Sequence, residues 1–155
     1  MQEYKTLAIK IINMLYTEEI YLAGWEESKW IVMSSFFFTI PSVYALIQEK
    51  YNLSLLLLGT SLVSANYWRK ATYSWRRNLD MVFAKVSFTV FVYNGVIHVR
   101  TLPLVVSGYS GLCLLFFMYY LSNVLFEIKN KQWVTFHVLF HFLIMCEQLI
   151  ILNSM

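Results

Sequence analysis

The stretch LPLVVSGYSGLCLLFFMYYLSNVLF, residues 102–126, holds no charged side chain and is long enough to cross a membrane as one helix. Four more apolar segments occupy residues 30–47, 53–68, 79–99 and 133–152. The 155-residue chain is 59% hydrophobic and 14% charged, whereas a soluble domain is typically about 45–50% apolar and about 25% charged. We therefore predict an all-α membrane protein, a polytopic bundle of about five transmembrane helices.

The segment before the first predicted span has a different pattern. Leu7, Ile11, Met14 and Leu15 recur at helical spacing among charged residues. Residues 1–29 are therefore predicted to contain an amphipathic helix on the membrane surface or on the bundle. A soluble helix packed on a partner chain is the alternative. This divides the chain into an N-terminal segment, 1–29, and a transmembrane domain, 30–155.

The distribution of positive charge orients the predicted spans. With five crossings, one side of the membrane carries the N-terminal region and the loops 69–78 and 127–132. That side holds nine Lys and Arg residues, and the other side holds Lys50 and Arg100. Because basic residues accumulate on the side where proteins are made, the N-terminus is predicted on the cytosolic or matrix side. The pattern does not identify which membrane.

Several functional classes lack their sequence signatures. The chain has no Gly-rich phosphate loop, no Cys-x-x-Cys and no basic run with interleaved aromatic residues. Its two cysteines, Cys113 and Cys146, lie apart in apolar segments. We therefore exclude nucleotide hydrolysis, thiol redox chemistry and nucleic-acid binding. The expected partners are lipids and other membrane protein subunits.

Polar residues inside apolar segments form stripes, and such residues usually face the interior of a helix bundle. At 100° per residue around a helix, the four polar residues of the third segment point within about 40° of one another. The stripes are Ser54, Ser61, Ser64 and Trp68 in the second segment, Asp80, Ser87, Asn94 and His98 in the third, and His137, His141 and Gln148, with Glu147 beside them, in the fifth.

Some residues of these stripes are predicted to lie at the same depth in the membrane. Ser64 lies one turn before the end of its segment, Asp80 begins the next, and His137 and His141 lie in the first turns of the last. All three ends are on the basic side, so these residues are predicted to surround one interior cavity. Two histidines at i and i+4 share a helix face, as in helices that give two ligands to a metal. Interhelical hydrogen bonding is the alternative role.

These residues resemble the motifs of the alkaline ceramidase, adiponectin receptor and hemolysin III superfamily. SANYW at 64–68, RNLD at 77–80 and HVLFH at 137–141 follow the order of its Ser-x3-His, Asp and His-x3-His motifs. The resemblance implies a zinc-dependent amide hydrolase of seven helices, in which Ser64 and Asp80 act in catalysis. Zinc would be held by His137 and His141, and here by Asp80 as a third ligand.

Two departures from that family shape the functional hypothesis. Trp68 stands where the family has its third zinc-binding histidine, and an indole cannot coordinate a metal. The chain also has room for about five helices. We therefore expect a small non-catalytic subunit of a larger membrane assembly, built on a degenerate hydrolase-like scaffold. The alternative is a metal-dependent intramembrane hydrolase that acts on a lipid amide.

Overall fold

The computed structural model describes residues 21–155. Within this range the regular structure is helical, apart from one isolated bridge between Tyr21 and Thr72. The elements are α1 (Trp25–Ser35), a 3-10 turn (Phe36–Phe38), α2 (Thr39–Ile47), α3 (Tyr51–Trp68), α4 (Trp75–His98), α5 (Leu102–Glu127) and α6 (Trp133–Ser154).

The predicted N-terminal helix falls mostly on residues 1–20, which lie outside the described residues. The last residues of the predicted segment 1–29 belong to α1, which begins at Trp25 and continues past residue 29. Glu26 and Glu27 occupy the first turn of α1, where acidic side chains interact favourably with the free amide groups of a helix N-terminus. The first membrane helix therefore begins earlier than the apolar pattern alone indicated.

Within residues 21–155, four helical stretches are long and apolar enough to cross a membrane: Trp25–Ile47, which joins α1 to α2, and the helices α4, α5 and α6. They indicate an integral, multi-pass membrane protein, as the composition predicted. The remaining predicted segment is α3, whose 18 residues rise about 27 Å, slightly less than the ~30 Å hydrocarbon core. The prediction of five crossings therefore depends on α3.

The first span is interrupted by the 3-10 turn Phe36–Phe38. Pro41 lies two residues into α2 and has no amide proton, so the carbonyl group of Phe37 cannot receive the usual i+4 hydrogen bond. The Thr39 hydroxyl donates to the Phe36 carbonyl at 2.7 Å and satisfies a neighbouring acceptor. The interruption therefore follows directly from the sequence FFFTIP.

Two helices reverse direction through left-handed residues. Glu49 (φ 60°) follows α2 and Lys129 (φ 55°) follows α5. In both turns a backbone amide reaches back to close the helix end, Lys50 N to Ala45 O and Asn130 N to Leu125 O, each at 2.9 Å. These are Schellman caps built without glycine, and they bring the starts of α3 and α6 next to the preceding helix ends.

Contacts at the two ends of the bundle establish which helix termini lie together. At one end Leu22 N donates to Ala71 O at 2.8 Å, and Ala71 packs in one cluster with Trp133 at the start of α6. At the opposite end the Lys50 ammonium group donates to the Leu152 carbonyl at 2.8 Å. Residue 22, the loop after α3 and the start of α6 therefore share one end.

The helices divide into a tightly packed half and an open half. The first span packs on α3 and α6 through small side chains: Ser61 donates to Ser35 O at 2.9 Å, and Ser42 donates to Ser54 O at 2.8 Å. In the open half, α4 packs on α3 and α6, and α5 packs on α6, but α4 and α5 do not pack along their length. Between α4 and α5 lies a large cavity.

Candidate functional site

One cavity of about 790 Å³ runs between α4, α5 and α6, with α3 closing one side. Ser64, Asp80, His137 and His141 all line it, toward the end of the bundle where α3 ends and α4 and α6 begin. These are the four residues that the polar stripes and helix ends singled out. The rest of the wall is mostly apolar, with Phe88, Leu112 and Ile144 among its residues.

Ser64 is hydrogen-bonded to the first span and lines the same cavity as Asp80. The Ser35 hydroxyl hydrogen-bonds to Ser64 Oγ at 3.1 Å. Ser64 is 4% exposed. The structure therefore places Ser64 and Asp80 on one cavity and connects Ser64 to the first span.

Each imidazole is held by a serine hydroxyl. His141 Nδ1 lies 2.9 Å from Ser34 Oγ, whose proton is directed to the Ile31 carbonyl at 3.0 Å. His137 Nδ1 lies 3.3 Å from Ser122 Oγ, which donates to the Trp133 carbonyl at 3.2 Å. Because each serine has only one proton to give, we assign the Nδ1–H tautomer to both rings. Both Nε2 atoms then carry the lone pair.

Aromatic rings pack around the two histidines. The centroids of the two imidazoles are 4.9 Å apart. The Trp68 ring lies 4.9 Å from the His137 ring, and the Phe38 ring lies 5.1 Å from the His141 ring. Trp133 also approaches His137, with centroids 6.2 Å apart. Trp68, at the position where the resemblance would require a third histidine, is therefore packed directly on His137.

The donor set decides whether a metal ion fits. Among residues 21–155, no three His, Cys, Asp or Glu side chains come close enough together to hold one. The predicted ligands His137, His141 and Asp80 line one cavity without forming a three-ligand site. The residues present therefore do not fit the zinc site that the family resemblance implies, and a role for zinc stays a prediction.

Sequence reasoning missed the serines that hold the histidines. Ser34 and Ser122 lie in apolar segments without a stripe of their own, and neither was singled out. Ser34 is 1% exposed and Ser122 is 3% exposed. One feature of the sequence could have identified them. A hydroxyl group inside a membrane span is energetically unfavourable unless a hydrogen-bond donor or acceptor lies nearby.

Comparison with known proteins adds no relative. No protein-family model, no curated protein and no solved structure matches the chain. The likeness to the hydrolase superfamily consequently rests on the short motifs at residues 64–68, 77–80 and 137–141 alone.

The serine–histidine contact gives the first prediction. Ser34→Ala removes the oxygen that receives the His141 Nδ1–H bond and leaves that group buried without a partner. We expect a loss of about 1–2 kcal/mol in the free energy of unfolding. Thermal melting of the purified protein in mild detergent measures the effect. Ser110→Ala, at an exposed serine bonded only to its own helix, is the control. Equal melting of the two variants would contradict the assignment.

Proposed function

We propose that the chain crosses the membrane five times, with α3 as the short crossing. The residues before α1 and the loops after α3 and α5 would then lie on the cytosolic or matrix side. Seven of the nine basic residues that the sequence assigns to that side lie in the described range, namely Lys29, Arg69, Lys70, Arg76, Arg77, Lys129 and Lys131. The shared position of Leu22, Ala71 and Trp133 at one end of the bundle supports the same arrangement.

Cysteine labelling tests this topology. In a background with Cys113→Ser and Cys146→Ser, single cysteines are introduced as Asn52→Cys and Asn130→Cys. A membrane-impermeant maleimide added to sealed vesicles should label only one of the two, because the positions flank opposite ends of the bundle. After detergent treatment both should be labelled. Labelling of both sites in sealed vesicles would rule out five crossings.

We propose further that the protein is a non-catalytic accessory subunit of a larger membrane assembly, on a scaffold that resembles a membrane hydrolase. The observation that carries the proposal is the packing of Trp68 on His137. In the family pattern this position supplies the third metal ligand. Here it supplies an indole, which fills space beside the imidazole and cannot bind a metal.

The surface of the open half supports the accessory role. Large apolar side chains of α4 and α5 are exposed, among them Tyr93, Val106 and Phe117. Such a surface faces either lipid or a partner subunit. Four small residues lie close together on α5. Ser107 and Ser110 are exposed, whereas Gly108 and Gly111 lie against Glu147 of the same chain. A partner helix would therefore approach α5 on its serine side.

One observation favours the alternative, a metal-dependent hydrolase acting on a lipid amide. Both histidines are oriented through Nδ1, which is how the neighbours of a metal site usually fix imidazole ligands. Ser64 and Asp80 stand nearby on the same cavity. The two hypotheses therefore differ in whether the missing third ligand prevents metal binding.

Restoring that ligand separates them. Trp68→His places an imidazole beside His137, and we expect the purified variant to retain about one zinc ion per chain after dialysis, because three nitrogen ligands hold zinc far better than two. The unmodified protein should retain much less than one. Metal content is measured by mass spectrometry of the digested protein, with Trp75→His, at an exposed indole, as control.

Either of two results would overturn the proposal. Full zinc occupancy in the unmodified protein, with cleavage of a lipid amide, would establish the hydrolase. Absence of zinc from Trp68→His, in a variant that melts normally, would remove the basis for a hydrolase-like scaffold.

The assembly is tested by size. In native electrophoresis of membranes solubilised in a mild detergent, the 18.4 kDa chain is expected in a species several times its own mass. The same chain expressed alone in a foreign host is the control and should migrate at the size of the isolated protein. Identical migration from both sources would refute the subunit role.

A further inference from the structure

A second set of polar side chains lines the same cavity, farther from the helix starts than the histidines. It consists of Ser87 on α4 and of Glu147 and Gln148 on α6. Ser87 is 12 residues beyond the start of α4, and Glu147 is 14 residues beyond the start of α6. At 1.5 Å per residue these positions lie about 18 and about 21 Å along their helices. The group is therefore near the middle of the membrane.

The Glu147 carboxyl group of α6 lies against two glycines of α5. A Cβ atom built on Gly111 would overlap the Glu147 carboxyl group, and one built on Gly108 would lie 3.9 Å from it. The two glycines of α5 thus leave a groove that the carboxyl group occupies. No hydrogen bond or ion pair to Glu147 is formed within residues 21–155. A carboxyl group at this depth requires a partner or a proton.

Two buried oxygens beside the cavity also lack partners. Ser87 Oγ and Gln148 Oε1 make no hydrogen bond to any part of the chain that the structure describes. Both residues line the cavity and each is 3% exposed. A serine hydroxyl can donate and accept a hydrogen bond, and a glutamine amide carries one oxygen acceptor beside its two N–H donors. The group therefore offers several acceptors.

The chemistry of a matching ligand follows from this imbalance. The Gln148 oxygen needs a hydrogen-bond donor, the Ser87 hydroxyl can accept or donate, and the Glu147 carboxyl group can carry a negative charge that no cation within residues 21–155 neutralises. The walls around them, including Phe91, Ile144 and Ile151, are apolar. A carboxylate ligand would meet Glu147 with like charge, and a plain hydrocarbon would leave the oxygens unpaired. A protonated amine on an apolar chain supplies both the donors and the opposite charge.

We propose that this mid-membrane part of the cavity binds an amphiphilic amine, with its ammonium group paired with Glu147 and its alkyl chain along the apolar wall. The whole cavity, about 790 Å³, is in the range of pockets that hold small molecules. Ser87 lies seven residues beyond Asp80 and Glu147 lies six residues beyond His141, about 10 and about 9 Å along their helices, so the proposed amine site is distinct from the predicted metal ligands.

Three probes of equal chain length test the ligand class. Dodecylamine, dodecanol and dodecanoate are titrated into the full chain in nanodiscs of zwitterionic phospholipid, and native mass spectrometry counts the bound molecules. Empty nanodiscs provide the partition background. We expect one saturable dodecylamine per chain, bound at least about tenfold more tightly than dodecanol, and no saturable dodecanoate.

Variants then locate the site. Glu147→Gln keeps the shape and removes the charge, and it should reduce dodecylamine affinity by about tenfold or more while dodecanol binding stays the same. Glu127→Gln, at the exposed end of α5, is the matched control and should bind like the unmodified protein. Ser87→Ala, which removes one acceptor, should weaken dodecylamine binding by a smaller factor. Thermal melting verifies that each variant is folded.

Three results would overturn the inference. Equal binding of all three probes would mean simple partition into an apolar cavity. Unchanged dodecylamine affinity in folded Glu147→Gln would place the ligand elsewhere. Absence of any saturable binding would mean that water alone satisfies these oxygens.

Discussion

The bundle depends on hydroxyl groups that join the first span to α3 and α6. Ser34 meets His141, Ser35 meets Ser64, and Ser61 donates to the Ser35 carbonyl. Inside a membrane, helices gain little from hydrophobic burial, because lipid chains are as apolar as leucine. Small residues allow close backbone approach, and their hydroxyls form hydrogen bonds for which lipid offers no substitute. The position of the histidines is therefore a consequence of how the first span packs.

The same reasoning explains why the other half is open. In the described structure α4 has only Ser87 and Phe91 buried, and α5 has only Leu115 and Ser122. Between these helices the aromatic rings of Phe88 and Phe116 meet, with their centroids 5.8 Å apart. Large aromatic side chains hold two helices apart where serines would draw them together. A cavity between α4 and α5 follows from this difference in side-chain size.

Hydrophobic patterning predicted the helices well because the membrane imposes both a length and an apolar composition. The helical stripes and the helix ends together were enough to place Ser64 and Asp80 with both histidines on one cavity. The residues that hydrogen-bond the histidines from other helices were harder to predict, because Ser34 and Ser122 belong to no periodic pattern of polar residues. Gly108 and Gly111 are small residues that permit close contact with a neighbouring helix, and in the structure they accommodate Glu147 of the same chain. Small residues in a helix indicate that another group packs closely against it, but only the folded structure shows which group that is.

The link between Lys50 and the Leu152 carbonyl has a consequence for biogenesis. It joins the turn after the first span to the end of α6, and the Tyr44 hydroxyl reaches Asn153 beside it at 3.0 Å. During synthesis the first span and α3 are made before α6 is translated. Until then the Ser34 hydroxyl has no imidazole to meet, and the Lys50 ammonium group has no helix end to bind. The contacts of the first span with α6 can therefore form only after α6 has been made.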